Sequence, residues 1–243
     1  MNLTIDIGNT RTKFGFFQKG ELKEKIIVKK WTLTDLKKIV NNQNIENIIC
    51  STVKTENKRM TNYLSKHWYF LNLDAETPLP IQNLYGTPRT LGKDRLAAVV
   101  GAYTLFPGES SLVIDAGTCT TYDIIDAKGN YLGGNITPGL NMRFRAMQHF
   151  TAKLPLVEKP EAIDNGLGKN TVEALQFGGG LGNILEMEAW IQFFSDKYQG
   201  INTTLTGGDT EYFAKRLKTK IFAHSNLVLV GLNKILDYNV ELL

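Results

Sequence analysis

The chain opens on alternation. In "NLTIDIGN" the apolar residues Leu3, Ile5 and Ile7 alternate with Asn2, Thr4 and Asp6, the period-2 pattern of a half-buried strand. "TKFGFFQKGELKEKIIV" continues the pattern as a hairpin partner that runs on into a third strand. The period then changes. "TDLKKIVNNQ" predicts a helix with Thr34 at its N-cap, "IENIICSTV" a strand leaving it, and "NKRMTNYLSKHW" another helix. "LGKDRLAAVVGAYTLF" predicts a helix with Leu96, Val99, Val100 and Tyr103 on one face. The consecutive turn signals of "FPGESS" mark a boundary between two halves, 1–108 and 109–243. Strands begin the second half in "SLVIDAGTCTTYDIIDAKGNYLGGNITPG", followed by helical patterns in "LNMRFRAMQHF" and "TVEALQFGGGLGNILEMEAWIQFFSDKY". The chain closes with a strand, "NTTLTGGD", a helix, "TEYFAKRLK", and an apolar helix, "NLVLVGLNKILDYN". Strands in blocks with helices alternating between them predict a layered α/β protein.

The two halves begin alike. "LTIDIGNTRTKFGFFQKGE" lies over "LVIDAGTCTTYDIIDAKGN" without a gap, and Leu3, Ile5, Asp6, Gly8, Thr12, Lys19 and Gly20 meet identical residues at Leu112, Ile114, Asp115, Gly117, Thr121, Lys128 and Gly129. Each copy is a strand with an acid near its tip, a glycine with hydroxyls, and a return strand. A glycine there lets backbone approach a ligand closely. Successive N–H groups in a tight turn make an anion-binding concavity. A carboxylate beside phosphates is intelligible chiefly if it faces a hydrated cation, usually Mg²⁺, and Lys13 adds a point charge for phosphate oxygens. One D-x-G-x-T match is common by chance; the ungapped repetition is what gives this one weight. Two such hairpins, one per lobe, predict a nucleotide held in a cleft between lobes.

Other phosphate signals fall short. "GTPRTLGKD" has its glycines one position too far apart for a P-loop, with Asp94 where Ser or Thr must ligate Mg²⁺. "GLGKNT" and "GGGLGN" do not complete G-x-G-x-x-G. Composition narrows the field further. A net charge of +4, spread along the chain, gives no nucleic-acid footprint, and the basic run "KGELKEKIIVKK" reads as a solvated sheet edge. No apolar run reaches the roughly 20 residues of a membrane span. Cys50 and Cys119 have neither disulfide nor metal-site spacing. The expectation is a cytoplasmic protein with no membrane or nucleic-acid partner.

"DIGNT" followed by Lys13, then "LGKDR", "IDAGTCTT", "GGNITPGL" and "LTGGD" occur in an order that resembles the type III pantothenate kinases, of the actin-like ATPase and sugar kinase superfamily. The resemblance spans nearly the whole chain. It implies a two-lobed, duplicated actin-like (ribonuclease H-like) fold and ATP-dependent phosphorylation of pantothenate to 4′-phosphopantothenate, the first step of coenzyme A synthesis. Carried over by position, Asp6, Ile7, Gly8, Asn9, Thr10, Arg11, Thr12 and Lys13 resemble the first ATP-phosphate segment, with Asp6 on the Mg²⁺ side. Thr118 resembles a further ATP contact. Asp115 matches the ligand of a monovalent cation, K⁺ or NH₄⁺. Gly92, Lys93, Asp94 and Arg95 match the pantothenate-binding segment, with Asp94 as catalytic base, and Tyr85 and Thr171 match further substrate contacts. The resemblance also implies a homodimer. Departures are the single proline and Lys93 in "YGTPRTLGKDR", and Cys119 where alanine is usual.

Each of these residues has a plainer reading. Asp94 in a first helical turn favours the helix dipole, and Arg95 beside it can simply pair with it. Thr171 or Asn170 would cap a helix. His67, His149 and His224 share no ligand spacing and read as structural, and Arg143 and Arg145 read as solvated. Met187, Trp190, Phe193 and Phe194 read as core or subunit interface. Rival functions are another small-molecule kinase of the same scaffold and a non-catalytic nucleotide-binding accessory protein.

Overall fold

A computed structural model describes every residue except 42, 56, 164 and 165. The chain divides into two compact units. One comprises Met1–Glu109, Ile125–Gly133 and Asn226–Leu243, the other Ser110–Ile124 and Gly134–Ser225. The first break falls inside the "FPGESS" turn. Packing differs from a cut by chain order at 108/109, because two later segments return to the first unit.

In the first unit, β1 (Asn2–Ile7), β2 (Thr12–Gln18) and β3 (Glu21–Val28) form an antiparallel meander, and β4 (Asn47–Thr52) and β5 (Tyr69–Asn72) extend it in parallel, giving the order β3-β2-β1-β4-β5. The lysine-rich β3 is the edge strand, where charge discourages pairing with other chains. Leu3 and Ile5 of β1 and Phe14 and Phe16 of β2 are fully or nearly buried against helices α1 (Leu33–Asn41) and α2 (Lys58–His67). Each such side chain contributes about 1.5–3 kcal/mol on burial. The cap of α1 is Thr32 rather than the expected Thr34: Thr32 Oγ1 accepts from the Asp35 N–H at 3.3 Å, and Asp35 Oδ2 accepts from the Thr32 N–H at 2.9 Å. The reciprocal exchange satisfies two backbone donors, which a cap at Thr34 would not. The last part of the predicted helix, at Asn42, lies outside the described residues.

Helix α3 (Lys93–Leu105) departs from the one-faced helix expected of it. Every residue from Arg95 to Ala102 is buried, because the C-terminal helix α7 (Leu227–Glu241) of the same unit packs closely along it. A Cβ on Gly231 would lie 1.7 Å from the Ala97 carbonyl oxygen, and one on Gly101 would lie 2.4 Å from that of Leu227. The two backbones touch where two glycines allow it.

In the second unit, β7 (Ser111–Ala116) and β8 (Cys119–Ile125) repeat the first hairpin, and β9 (Asn130–Pro138) follows. With β10 (Asn202–Thr206) and β11 (Phe222–Ala223) the order is β11-β10-β7-β8-β9. The first residues of β9 belong to the first unit and pair there with the short β6 (Gln82–Asn83). Helices α4 (Leu140–His149), α5 (Thr171–Lys197) and the short α6 (Thr210–Ala214) complete the unit. Its core gathers Ile114, Tyr122, Phe144, Met187, Phe194 and Phe213. The cap of α5 is Asn170, whose Oδ1 accepts from the Glu173 N–H at 3.0 Å.

Candidate active site

The alternation of β1 assigns its side chains. Leu3 and Ile5 enter the core under α1 and α2, so Asp6 points to the opposite face of the sheet. Asp6 stands opposite Lys13 in the β1–β2 register, and the turn between them closes with the Gly8 N–H donating to the Arg11 carbonyl at 3.1 Å. Asn9, Thr10 and Arg11 are exposed on that turn, while Ile7, Gly8 and Lys13 are half-buried. Thr12 is buried, its Oγ1 accepting from Trp31 Nε1 at 2.9 Å. Asp6 itself is only 8% exposed, and its carboxyl is pushed up to about 6. Burial is the main cause; Lys13 opposes the shift and the nearby carboxylate of Asp94 adds to it. The structure thus brings Asp6, Lys13 and Asp94 into one electrostatic neighbourhood. A cavity of about 680 Å³ in the same unit, lined by Lys29, Lys30, Trp31 and Lys54, includes neither acid. The cavity adjoins the Asp6–Lys13 segment at Ile7 and Thr12 without reaching Asp6 or Asp94.

Gly92 stands at the N-cap of α3, so Lys93, Asp94 and Arg95 form its first turn. Asp94 is half-buried and its Oδ1 accepts from the Arg95 N–H at 2.9 Å. Arg95 is 5% exposed, a burial that a surface partner of Asp94 would not show. Its guanidinium carbon lies 5.6 Å from the Tyr85 ring centroid, and Tyr85 stacks in turn on Tyr131 at 6.0 Å. Gly133 leaves room beside that ring, where a Cβ would come 3.6 Å from Tyr85 Cδ2. Sequence reasoning missed Tyr131 and Gly133; the "YLGGN" stretch, a glycine pair interrupting a strand, was the available signal.

The second hairpin is tighter at its tip. The Gly117 N–H donates to the Cys119 carbonyl at 3.0 Å, which leaves Thr118 exposed at the apex. Asp115, half-buried, lies opposite Thr206 in the β7–β10 register. The "TGGD" segment folds over this strand end. The Asp209 N–H donates to the Ala116 carbonyl at 2.9 Å, and Gly207 takes φ of +103°, with space for a Cβ closed by Asp115 Oδ1 at 2.5 Å. Only glycine suits that position. Thr206 Oγ1 is buried without a protein hydrogen-bond partner. Asp115 and Thr206 are thus register partners whose carboxylate and hydroxyl are oxygen donors, the ligand type of hard cations rather than of soft transition metals.

Thr171 is exposed at the start of α5, with the capping done by its neighbour. Arg145 is exposed, as expected, but Arg143 is not solvated: its side chain is 22% exposed and its Nη2 donates to Glu186 Oε2 at 2.5 Å. Of the four late-helix residues, Met187 and Phe194 are core, whereas Phe193 is 55% exposed.

Solved structures place the fold. A candidate N-acetylmannosamine kinase from Listeria monocytogenes aligns with a TM-score of 0.54 at 15% identity, over 98% of this chain and 99% of its own. A candidate Baf-family transcriptional activator from Campylobacter jejuni aligns at 0.64 and 23% identity, over 98% and 99%. The fold is that of the actin-like sugar kinases. Within it the family is specific. The sequence pattern of type III pantothenate kinases matches residues 2–192, and a type III pantothenate kinase from Bacteroides fragilis is 44% identical over 240 residues, 98% of each chain. The chain belongs to the type III pantothenate kinase family.

Proposed function

We propose that the protein transfers the γ-phosphoryl group of ATP to the primary hydroxyl of pantothenate, giving 4′-phosphopantothenate and ADP in the first step of coenzyme A synthesis. The observation that carries the residue assignment is the Asp94 carboxylate lying near enough to the buried Asp6 to raise its carboxyl, next to a buried Arg95 whose guanidinium faces the Tyr85 ring.

In this reading Asp94 takes the hydroxyl proton as that oxygen attacks the γ-phosphorus and the bond to the ADP oxygen breaks. Positioning and a proton acceptor are what such a transfer asks of the protein. Arg95 pairs with the pantothenate carboxylate through its planar fork, and the Tyr85 ring keeps that guanidinium oriented. In the first unit Gly92 and Lys93 serve the pantothenate-binding segment; in the second unit Thr171 is assigned a substrate contact by the family pattern alone. In the first unit the Gly8–Lys13 turn is the phosphate-binding segment; in the second, Thr118 at its own hairpin apex is a nucleotide contact. Asp6 fits a hydrated Mg²⁺, which would relieve the cost of a buried ionised carboxylate and neutralise phosphate charge when bound. Asp115, with Thr206 Oγ1, would hold K⁺ or NH₄⁺. The protein works as a homodimer in the cytoplasm; exposed Leu185 and Phe193 give α5 an apolar surface suited to a second copy. Among the described residues no helix is long and apolar enough to cross a membrane.

ADP release with ATP, Mg²⁺ and pantothenate, with and without K⁺, tests the reading. Release that requires both pantothenate and K⁺ supports it. Release with a sugar acceptor instead would move the protein to another kinase of the same fold, and ATP binding with no acceptor turned over would make it an accessory protein.

A further inference from the structure

A polar network around Arg143 in the second unit has no part in the proposed reaction, and it forms a ring. Arg143, on α4, donates from Nη2 to Glu186 Oε2 at 2.5 Å and from Nε to the Pro138 carbonyl at 2.8 Å. Pro138 ends β9, and the next residue, Gly139, donates its N–H to the Thr118 carbonyl at 3.3 Å. The approach is close: a Cβ on Gly139 would lie 2.3 Å from the Gly117 oxygen and 2.6 Å from that of Thr118. From the other side, Glu186 Oε1 accepts from the Tyr122 hydroxyl at 3.4 Å. Tyr122 is fully buried on β8, the return strand of the same hairpin. Turned so that its oxygen faces the guanidinium, the buried Asn183 carboxamide accepts from Arg143 Nε at 2.9 Å and Nη2 at 3.1 Å. The ring therefore runs from the apex of the second phosphate turn, through Gly139 and Pro138, to Arg143 and Glu186, and back into the hairpin at Tyr122.

We propose that the Glu186–Arg143 ion pair is a positioning device for the nucleotide: it fixes the Pro138–Gly139 corner against the Gly117–Thr118 turn, and so sets the backbone that meets phosphate. The inference rests on the reading of that turn as an ATP contact. A two-residue apex has little rigidity of its own, and a carbonyl held from outside leaves its N–H groups aimed one way. The pair is half-enclosed rather than surface-borne, and it is joined to three neighbours, the arrangement in which an ion pair fixes geometry. Neither residue needs to touch the ligand.

The test is isothermal titration of Mg·ADP into the intact protein, alongside steady-state kinetics, for Glu186→Gln, Arg143→Met and the double variant. Removing a group that orients a ligand contact costs about 10–100-fold in affinity. The Mg·ADP dissociation constant and the KM for ATP are expected to rise by that amount, with the KM for pantothenate unchanged. The double variant should be no worse than the weaker single, since the two residues act as one unit. Arg143→Lys keeps the charge but cannot reach Glu186 and Pro138 together, and should fall between wild type and Arg143→Met. An unchanged Mg·ADP constant in the single variants overturns the proposal, as does a parallel rise in both KM values, which would signify general loosening. If the charge variants do not fold, Tyr122→Phe, which loses one hydroxyl, carries the test: weaker Mg·ADP binding supports the ring and wild-type binding overturns it. Wild-type protein that binds Mg·ADP but turns over no pantothenate would defeat the functional reading and leave the positioning role to stand on the binding data. Wild-type protein that binds no Mg·ADP would defeat both.

Discussion

Asp6 is expensive to keep ionised. Its folded carboxyl sits near 6 against an ordinary value of 3.8, raised by burial and by Asp94 against the pull of Lys13. The sign follows from linkage. The folded state holds the Asp6 proton more tightly than the unfolded chain does, so stability relative to an ordinary carboxylate is present below pH 4 and is lost as pH rises through about 6. Asp6→Asn is therefore expected to stabilise the ligand-free protein at pH 7.5 by about 1–3 kcal/mol, and by little at pH 4, while abolishing turnover. Urea melts at the two pH values decide it; a variant no more stable than wild type at pH 7.5 would show that Asp6 is not strained. Asp94 is expected to be as consequential for rate. Asp94→Asn should cut turnover about 10²–10⁴-fold with the fold intact, and turnover within a few-fold of wild type would remove it as the base. A carboxylate held at such cost beside a second one is a candidate functional group, and no repeat or motif shows that cost. It becomes visible only once β1 and α3 are placed together.

At the scale of elements, the hairpins were the most legible part of the chain. Alternation fixed β1, β2 and β3, and the repeat carried the same reading to β7 and β8, because a strand–turn–strand unit is specified locally. The short β5, β6 and β11 were missed: four residues or two, without alternation, carry no periodic signal. Arg95 was legible as a site residue only through the resemblance, since a charge in a first helical turn reads as solvated until the helix is seen to be buried. Arg143 was misread for the same reason. Helix α3 likewise read as one-faced because its second covering layer, α7, lies more than a hundred residues away in the chain. That crossing yields a prediction. Gly231→Ala would drive a methyl carbon into the Ala97 carbonyl, forcing the helices apart at a cost of about 3 kcal/mol or more. Gly208→Ala, with nothing within 4 Å, is the control and should leave the melting temperature unmoved. Equal melting temperatures for the two variants would mean that α7 is free to shift along α3.

At the scale of the molecule, the chain's end belongs with its beginning. Asn2 donates to Asn233 Oδ1 at 3.0 Å and to Asp237 Oδ1 at 2.6 Å, Asn47 donates to Asn2 at 3.0 Å, and Asn239 donates to the Pro78 carbonyl at 2.9 Å. Leu227, Leu229, Leu232, Ile235 and Leu236 are fully buried in the same unit. The first unit is therefore not complete when residue 109 has been made; its last layer arrives with residues 226–243. A protein ending at Ser225 would expose the groove along α3 and take from the Asn2 carboxamide its acceptors on Asn233 and Asp237, and from the Pro78 carbonyl its donor on Asn239. Five buried aliphatic side chains at about 1.5–3 kcal/mol each are comparable to the roughly 5–15 kcal/mol by which a whole protein is stable. Such a chain is expected to be insoluble, or to lose cooperative unfolding in its N-terminal sheet, although every proposed catalytic and binding residue is still present. Removing only Leu242 and Leu243, which are 58% and 88% exposed, should change neither solubility nor turnover. Expression of both truncations, with hydrogen exchange read on β1 and β4, separates the cases. Protection of those strands in the protein ending at Ser225 would show that the N-terminal unit closes its core without α7, and that the buried α3–α7 contact is dispensable for the fold.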